Sequence, residues 1–204
     1  MSESLLKLNK SRVQILAIIG LFAIPVILAN YIFDYMGSHG VSETVNHGEL
    51  ISPAKPLQAV LLIDAQQQPL PEKLLLGKWT YVIFANGSCD KTCEDQLYVT
   101  RQTRVGINKD MQRLQRLLVV NYQPDATWLE DLSKTHPELV ISVLPDKSWA
   151  DFYNQFKADI DTIGGSPFFL VDPLGNLMMG YGDSAKPRGI MSDIKKLMKI
   201  NITG

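Results

Sequence analysis

Hydrophobic and polar positions divide the 204-residue chain into three zones. Val13 to Phe33, VQILAIIGLFAIPVILANYIF, contains no Asp, Glu, Lys or Arg. As a helix rising about 1.5 Å per residue it is roughly 31 Å long, enough to cross a bilayer core. Residues 34–56 lose this character. Gly37, Gly40, Gly48, Pro53 and Pro56 punctuate a polar stretch that reads as a linker. From residue 57 short apolar runs alternate with longer mixed segments. LQAVLLID (57–64), WTYVIFA (79–85), LLVVNY (117–122), LVISVL (139–144), PFFLVD (167–172) and LMMGY (177–181) read as strands. EDQLYVTRQTRV (94–105), DATWLEDLSKT (125–135), SWADFYNQFKA (148–158) and RGIMSDIKKLMK (188–199) read as helices. Asp125 is placed to cap the second of these, and Ile190, Ile194, Leu197 and Met198 share one face of the last.

Strands alternating with helices predict a largely parallel sheet covered on both sides. PLGN, between the last two strands, is too short for a crossover and predicts an antiparallel hairpin. The pattern suits an α/β domain of thioredoxin-like fold behind a single N-terminal transmembrane helix. The expected organisation is a cytoplasmic tail at 1–12, the span at 13–33, the linker at 34–56 and the thioredoxin-like domain at 57–204.

Composition adds little, because 46% hydrophobic content and a net charge of −1 are ordinary. No basic balance points to nucleic acid, so none is expected as a partner. Local charge says more. Lys7, Lys10 and Arg12 precede the span, and Asp34 and Glu43 follow it. The positive-inside rule keeps the N-terminus in the cytoplasm and exports the rest. Tyr31, Phe33 and Tyr35 suit the far interface. A cleaved signal would have a shorter apolar region, about 7–15 residues, and a small-residue cleavage site. A retained anchor is therefore expected. The N-terminal residues carry too little arginine for a mitochondrial transit peptide. The simplest location is a bacterial inner membrane with the domain in the periplasm, where nearby thiols oxidise.

Two cysteines, Cys89 and Cys93, lie four positions apart in ANGSCDKTCEDQL. A strand delivers the chain into Asn86-Gly87-Ser88, and Cys89 emerges where a helix begins. Unpaired amides and partial positive charge at a helix start favour thiolate over thiol. Cys93, one turn on, can resolve a mixed disulfide formed at Cys89 or share a soft metal ion with it. A purely structural bridge closing so short a loop would restrain the unfolded chain little. Asp90, Glu94 and Asp95 oppose thiolate formation but suit a helix start, and Lys91 favours it.

LLGKWTYVIFANGSCDKTCEDQL and FFLVDPLGNLMMGYG resemble the SCO/SenC family of thioredoxin-like proteins that assist cytochrome oxidase assembly. The matching positions are Gly77, Lys78 and Trp79, the C-x-x-x-C pair, and the late strand and turn, within roughly residues 50–200. The resemblance implies a membrane anchor, a cytochrome oxidase subunit or other assembly factors as partners, and copper as a cargo. This sequence departs from it in three ways. Asp90 and Glu94 stand where copper-binding members have proline, and Lys91 replaces the family's acidic residue within the loop. Gly164 or Gly165 falls where those members carry a third, histidine ligand.

Two thiolates alone, Cys89 and Cys93, could hold Cu(I), so copper stays open while no resident cofactor is required. Met178 and Met179 read as core residues and His136 as a turn residue. His39 and His47 read as solvated loop residues. Pro167 resembles the cis-proline that faces the cysteine loop in thioredoxin-like reductases. Arg101, Arg104, Lys109, Arg113 and Arg116 form a basic run, read as a solvated helix face or as a docking patch for an acidic partner. The leading expectation is thiol-disulfide exchange in oxidase assembly, with Cys89 attacking, Cys93 resolving and Pro167 beside them. The alternatives are a copper chaperone using both cysteines and a non-catalytic assembly factor.

Overall fold

The computed structural model describes residues 10–38 and 46–200, with side chains described over 13–32 and 46–199. The expected tail at 1–9, the linker segment 39–45 with His39, and residues 201–204 lie outside the described residues. The chain divides into two compact units, Met1–Thr44 and Val45–Gly204.

In the first unit, α1 runs Lys10–Ser38 with Pro25 inside it. Its window Val13–Ile32 is long and apolar enough to cross a membrane. Ile15, Leu16, Ile18, Ile19, Leu21 and Phe22 are all exposed, so the helix is apolar on every side. That suits a lipid environment and not one face of a soluble core.

The second unit is built on a six-stranded sheet ordered β1-β6-β5-β2-β3-β4. Its strands are β1 (Glu49–Pro56), β2 (Trp79–Ala85), β3 (Leu114–Val120), β4 (Leu139–Val143), β5 (Phe168–Val171) and β6 (Asn176–Tyr181). The helices are α2 (Lys91–Gly106), α3 (Ala126–Thr135), α4 (Asp146–Tyr153), α5 (Lys157–Ile163) and α6 (Pro187–Ile200), with a 3-10 turn at Asn108–Arg113. Side chains alternate across the pleat, so each strand apart from the edge strand β1 feeds two cores. Tyr81, Ile83, Leu118 and Leu170 meet Leu97 of α2 and Ile190 and Ile194 of α6. Val82, Leu117, Val119 and Phe169 meet Trp149, Phe152 and Phe156 on the opposite face. Met178 and Met179 both pack in the first cluster, as expected.

The sheet is mixed rather than largely parallel. β2–β3 and β3–β4 are parallel, while β1–β6, β5–β6 and β2–β5 are antiparallel. The expected hairpin forces the β5–β6 pairing. Its turn is held by Asp172, whose Oδ1 accepts from the N–H groups of Leu174 and Asn176 at 2.9 and 2.8 Å. β1 occupies residues read as linker, because its prolines and charges are tolerated on an edge strand. The strand expected at 57–64 is absent. Ile63 makes one bridge to Pro69. Leu57, Val60, Leu62 and Ile63 are apolar because they pack against the second cluster, not because they join the ladder. The helix expected at 148–158 breaks at residues 154–156 into α4 and α5. There Gln155 Oε1 accepts from the Gln58 N–H at 2.7 Å.

Candidate functional site

β2 ends at Ala85 and the chain turns through Asn86-Gly87-Ser88. Gly87 takes φ 81°, which a side chain would resist. Its N–H donates to Asn121 Oδ1 at 2.9 Å, and Asn121 Nδ2 donates to Asn86 Oδ1 at 2.6 Å. The turn is thus strapped to the end of β3. Asp90 then caps α2, its Oδ1 accepting from the Cys93 N–H at 2.9 Å. The helix starts one residue after the cap, so Cys93 stands in its first turn and Cys89 just before it.

Cys89 and Cys93 form a disulfide, with Cα atoms 5.2 Å apart. The two sulfurs are not equivalent. Cys93 is 4% exposed, whereas Cys89 is half-buried. Each lines a different depression. Cys93 lines a cavity of about 170 Å³ with Ser88, Gln96, Trp149, Tyr153 and Pro167. Cys89 lines a groove of about 200 Å³ between α2 and α3, with Leu97, Trp128, Leu132, Thr135 and His136. Tyr122 and Trp128 pack beside Cys89. Burial pushes the Tyr122 hydroxyl above its ordinary pKa, while its contact with the Cys89 backbone pulls the other way.

Pro167 lines the same cavity as Cys93. Its peptide bond with Ser166 is trans. The cis bond among the described residues is Ser52–Pro53. The Ser166 carbonyl accepts from Gln96 Nε2. Glycine stands where the resemblance puts a histidine, and the positive-φ backbone there strains any side chain. Gly164 and Gly165 have φ of 76° and 67°, and a Cβ on Gly165 would collide with the Asp183 carboxylate. Among the described residues no three His, Cys, Asp or Glu side chains gather as a metal site.

The basic run does not form one face. Arg104 is buried and paired with Glu138 at 3.0 Å, and Arg116 is completely buried within β3. Arg113 pairs with Asp110 at 3.4 Å. A strand position facing a helix, not helix periodicity, decides where Arg116 goes. Its Nη1 donates to Leu97 O and to His136 Nδ1, both at 3.2 Å, while Nε and Nη2 have no hydrogen-bond partner. Burial brings its pKa down to about 10. His136 does end α3 as a turn residue, donating its N–H to Leu132 O at 2.7 Å. Its ring has a second role that the sequence reading missed. Burial, then Arg116 and Arg101, hold its pKa below the ordinary value. The available signal was Arg116 itself, a cation immediately before the apolar run LLVV, which needs an acceptor once buried. His47 is not simply solvated. Its Nδ1 lies 3.1 Å from the buried Asp193 carboxylate.

Residues 79–201 match a family model described as transmembrane-like, thioredoxin-like, C-terminal domain. The chain belongs to this family. Its thioredoxin-like domain is similar to yeast Sco1 solved with copper bound, at 21% identity and a TM-score of 0.61, covering 73% of this chain and 96% of that one. It is also similar to apo Sco1 from Thermus thermophilus, at 15% identity and a TM-score of 0.59, covering 78% and 99%. A thiol:disulfide interchange protein from Bacteroides sp. matches at 14% identity and a TM-score of 0.56, covering 76% and 95%. At these identities the likeness establishes the thioredoxin-like fold. No curated protein matches the chain.

Proposed function

We propose that this chain is a membrane-anchored thiol-disulfide exchange protein that serves cytochrome oxidase assembly. The observation that carries the reading is the asymmetric cysteine pair at a capped helix start: Cys89 reachable, Cys93 buried beside Pro167. A structural staple needs no such asymmetry, and a loop this short restrains the unfolded chain little. In exchange, an external dithiol first reduces the pair and is itself oxidised to a disulfide. The Cys89 thiolate attacks one sulfur of a client disulfide, and the other client sulfur leaves as thiolate. Cys93 then attacks Cys89 Sγ, the client sulfur leaves, and the Cys89–Cys93 bond re-forms. The client gains the two electrons that the pair loses. Pro167 lines the cavity beside Cys93.

Lys7, Lys10 and Arg12 keep the N-terminus cytoplasmic, and α1 holds the domain in the periplasm of a bacterial inner membrane. Binding to a cytochrome oxidase subunit rests on the SCO/SenC resemblance and on the solved Sco neighbours. Those same neighbours, solved with copper bound, favour a second reading in which the reduced cysteines carry Cu(I). That cargo role lacks its third ligand here, since Gly164 and Gly165 stand where the histidine would be. A Cys93→Ser variant tests exchange. It should accumulate a Cys89-linked client, released by reductant and absent in Cys89→Ser. Copper retained by the reduced native protein, with no trapped client, would favour the cargo reading instead.

A further inference from the structure

The disulfide separates two depressions, and only one of them suits an incoming sulfur. Opening a disulfide is an in-line displacement: the attacking sulfur approaches along the extension of the bond that breaks. An attack on Cys89 Sγ therefore arrives from the side opposite Cys93. Cys93 lines the Pro167 cavity, whereas Cys89 lines the groove between α2 and α3. We propose that the α2–α3 groove, not the Pro167 cavity, receives the client, as an extended cysteine-bearing peptide segment. This rests on the thiol-disulfide exchange reading above.

The groove has what such a segment needs. Trp128 and Leu132 supply apolar surface beside the sulfur, for the residue flanking the client cysteine. His136 supplies a hydrogen bond whose direction is fixed. Arg116 carries only donors, so the His136 Nδ1 that it bonds must be the acceptor. The ring proton is then on Nε2, the remaining polar atom of a side chain that lines the groove. It is ready to donate to a client backbone carbonyl. Burial, then Arg116 and Arg101, also lower the pKa of the ring. The charges around His136 are mixed. Arg116 comes from β3, Arg101 from α2, and Glu138 lies beyond the end of α3 paired with Arg104. Glu94 and Asp131 stand on the rim, with Lys134 4.0 Å from Asp131 and closer to Glu130 at 2.7 Å. Recognition by main chain and apolar contact fits such a mixed field better than recognition by net charge.

In the oxidative direction, which the test reads, a client thiolate bonds to Cys89 Sγ, the Cys89–Cys93 bond breaks, and the electron pair leaves on Cys93 Sγ. A second client thiolate then attacks the client sulfur and releases Cys89. The client dithiol becomes a disulfide and the pair takes up its two electrons. The reductive direction, in which the pair reduces a client disulfide as proposed above, is the reverse of these steps and passes through the same groove.

The test uses oxidised full-length protein, an extended dithiol peptide and the small reductant dithiothreitol. Loss of the disulfide is followed by alkylation and mass. Thr135→Trp places a bulky ring over the groove, and Ser166→Trp places one over the Pro167 cavity. Both native residues are exposed, so either variant should fold. Thr135→Trp is expected to slow the peptide about tenfold while dithiothreitol slows less than about twofold, because access alone changes. Ser166→Trp should leave the peptide rate near that of the native protein. His136→Phe should slow the peptide roughly fivefold through loss of one hydrogen bond, and His136→Gln should restore most of it. Slowing by Ser166→Trp alone, or equal slowing by both plugs, overturns the proposal. A peptide that cannot open the native disulfide when dithiothreitol can would instead overturn the exchange reading and this proposal with it.

Discussion

Single residues set the asymmetry of the cysteine pair. Asp90 is read from sequence as a charge that opposes a thiolate and as a residue suited to a helix start. In the structure it caps α2 by accepting from Cys93 itself, fixing the first turn and the buried position of the second sulfur. Asp90→Ala should cost about 1 kcal/mol of stability in chemical denaturation, the usual value of such a cap. His136 adds a pH dependence. Its folded pKa lies below the unfolded value of about 6.5, so the unfolded chain binds the proton more readily. The contribution is fully present above that value and declines as pH falls through it toward the folded pKa. Native protein should therefore lose stability on going from neutral to mildly acidic pH, and His136→Gln should flatten that loss in urea titrations at each pH. The cap at Asp125 was legible because a capping residue acts on amides close by in sequence, here the Trp128 N–H at 2.8 Å. The His136–Arg116 bond was not, since it joins positions twenty residues apart through a tertiary contact.

Elements were legible where each is stabilised by its own pattern. β2 falls on the residues read for it, and α2, α3 and α6 differ only at their ends. β1 was hidden because an edge strand needs neither an apolar run nor freedom from proline. Its hold on the domain comes from elsewhere. Asp193 of α6 has a fully buried side chain that accepts from the N–H groups of His47 and Gly48 at 2.9 and 3.1 Å. Tyr181 Oη lies 3.5 Å away. Replacing Asp193 with Ala leaves two amide donors unpaired where β1 begins. A loss of about 2–4 kcal/mol is expected, at one to two for each stranded donor. Hydrogen exchange should show β1 losing protection first, ahead of β2 and β3.

At the scale of the whole molecule, the chain joins an apolar helix long enough to cross a membrane to a thioredoxin-like domain. Anchor length, strand-helix alternation and the position of the cysteine loop were all readable, because each follows from local hydrophobicity or spacing. The division of the loop's surroundings into a Cys93 side and a Cys89 side was not, because α3 and the Pro167 segment meet it only after folding. Exchange in oxidase assembly requires both sulfurs. Copper carriage requires them as ligands, and a scaffold requires neither. The most direct measurement is oxidase activity in cells whose only copy is the Cys89→Ser, Cys93→Ser double variant, expressed at native level. The exchange account expects most of that activity to be lost and then restored by the native chain. Activity equal to that of the native chain would contradict it and leave the fold acting as a scaffold.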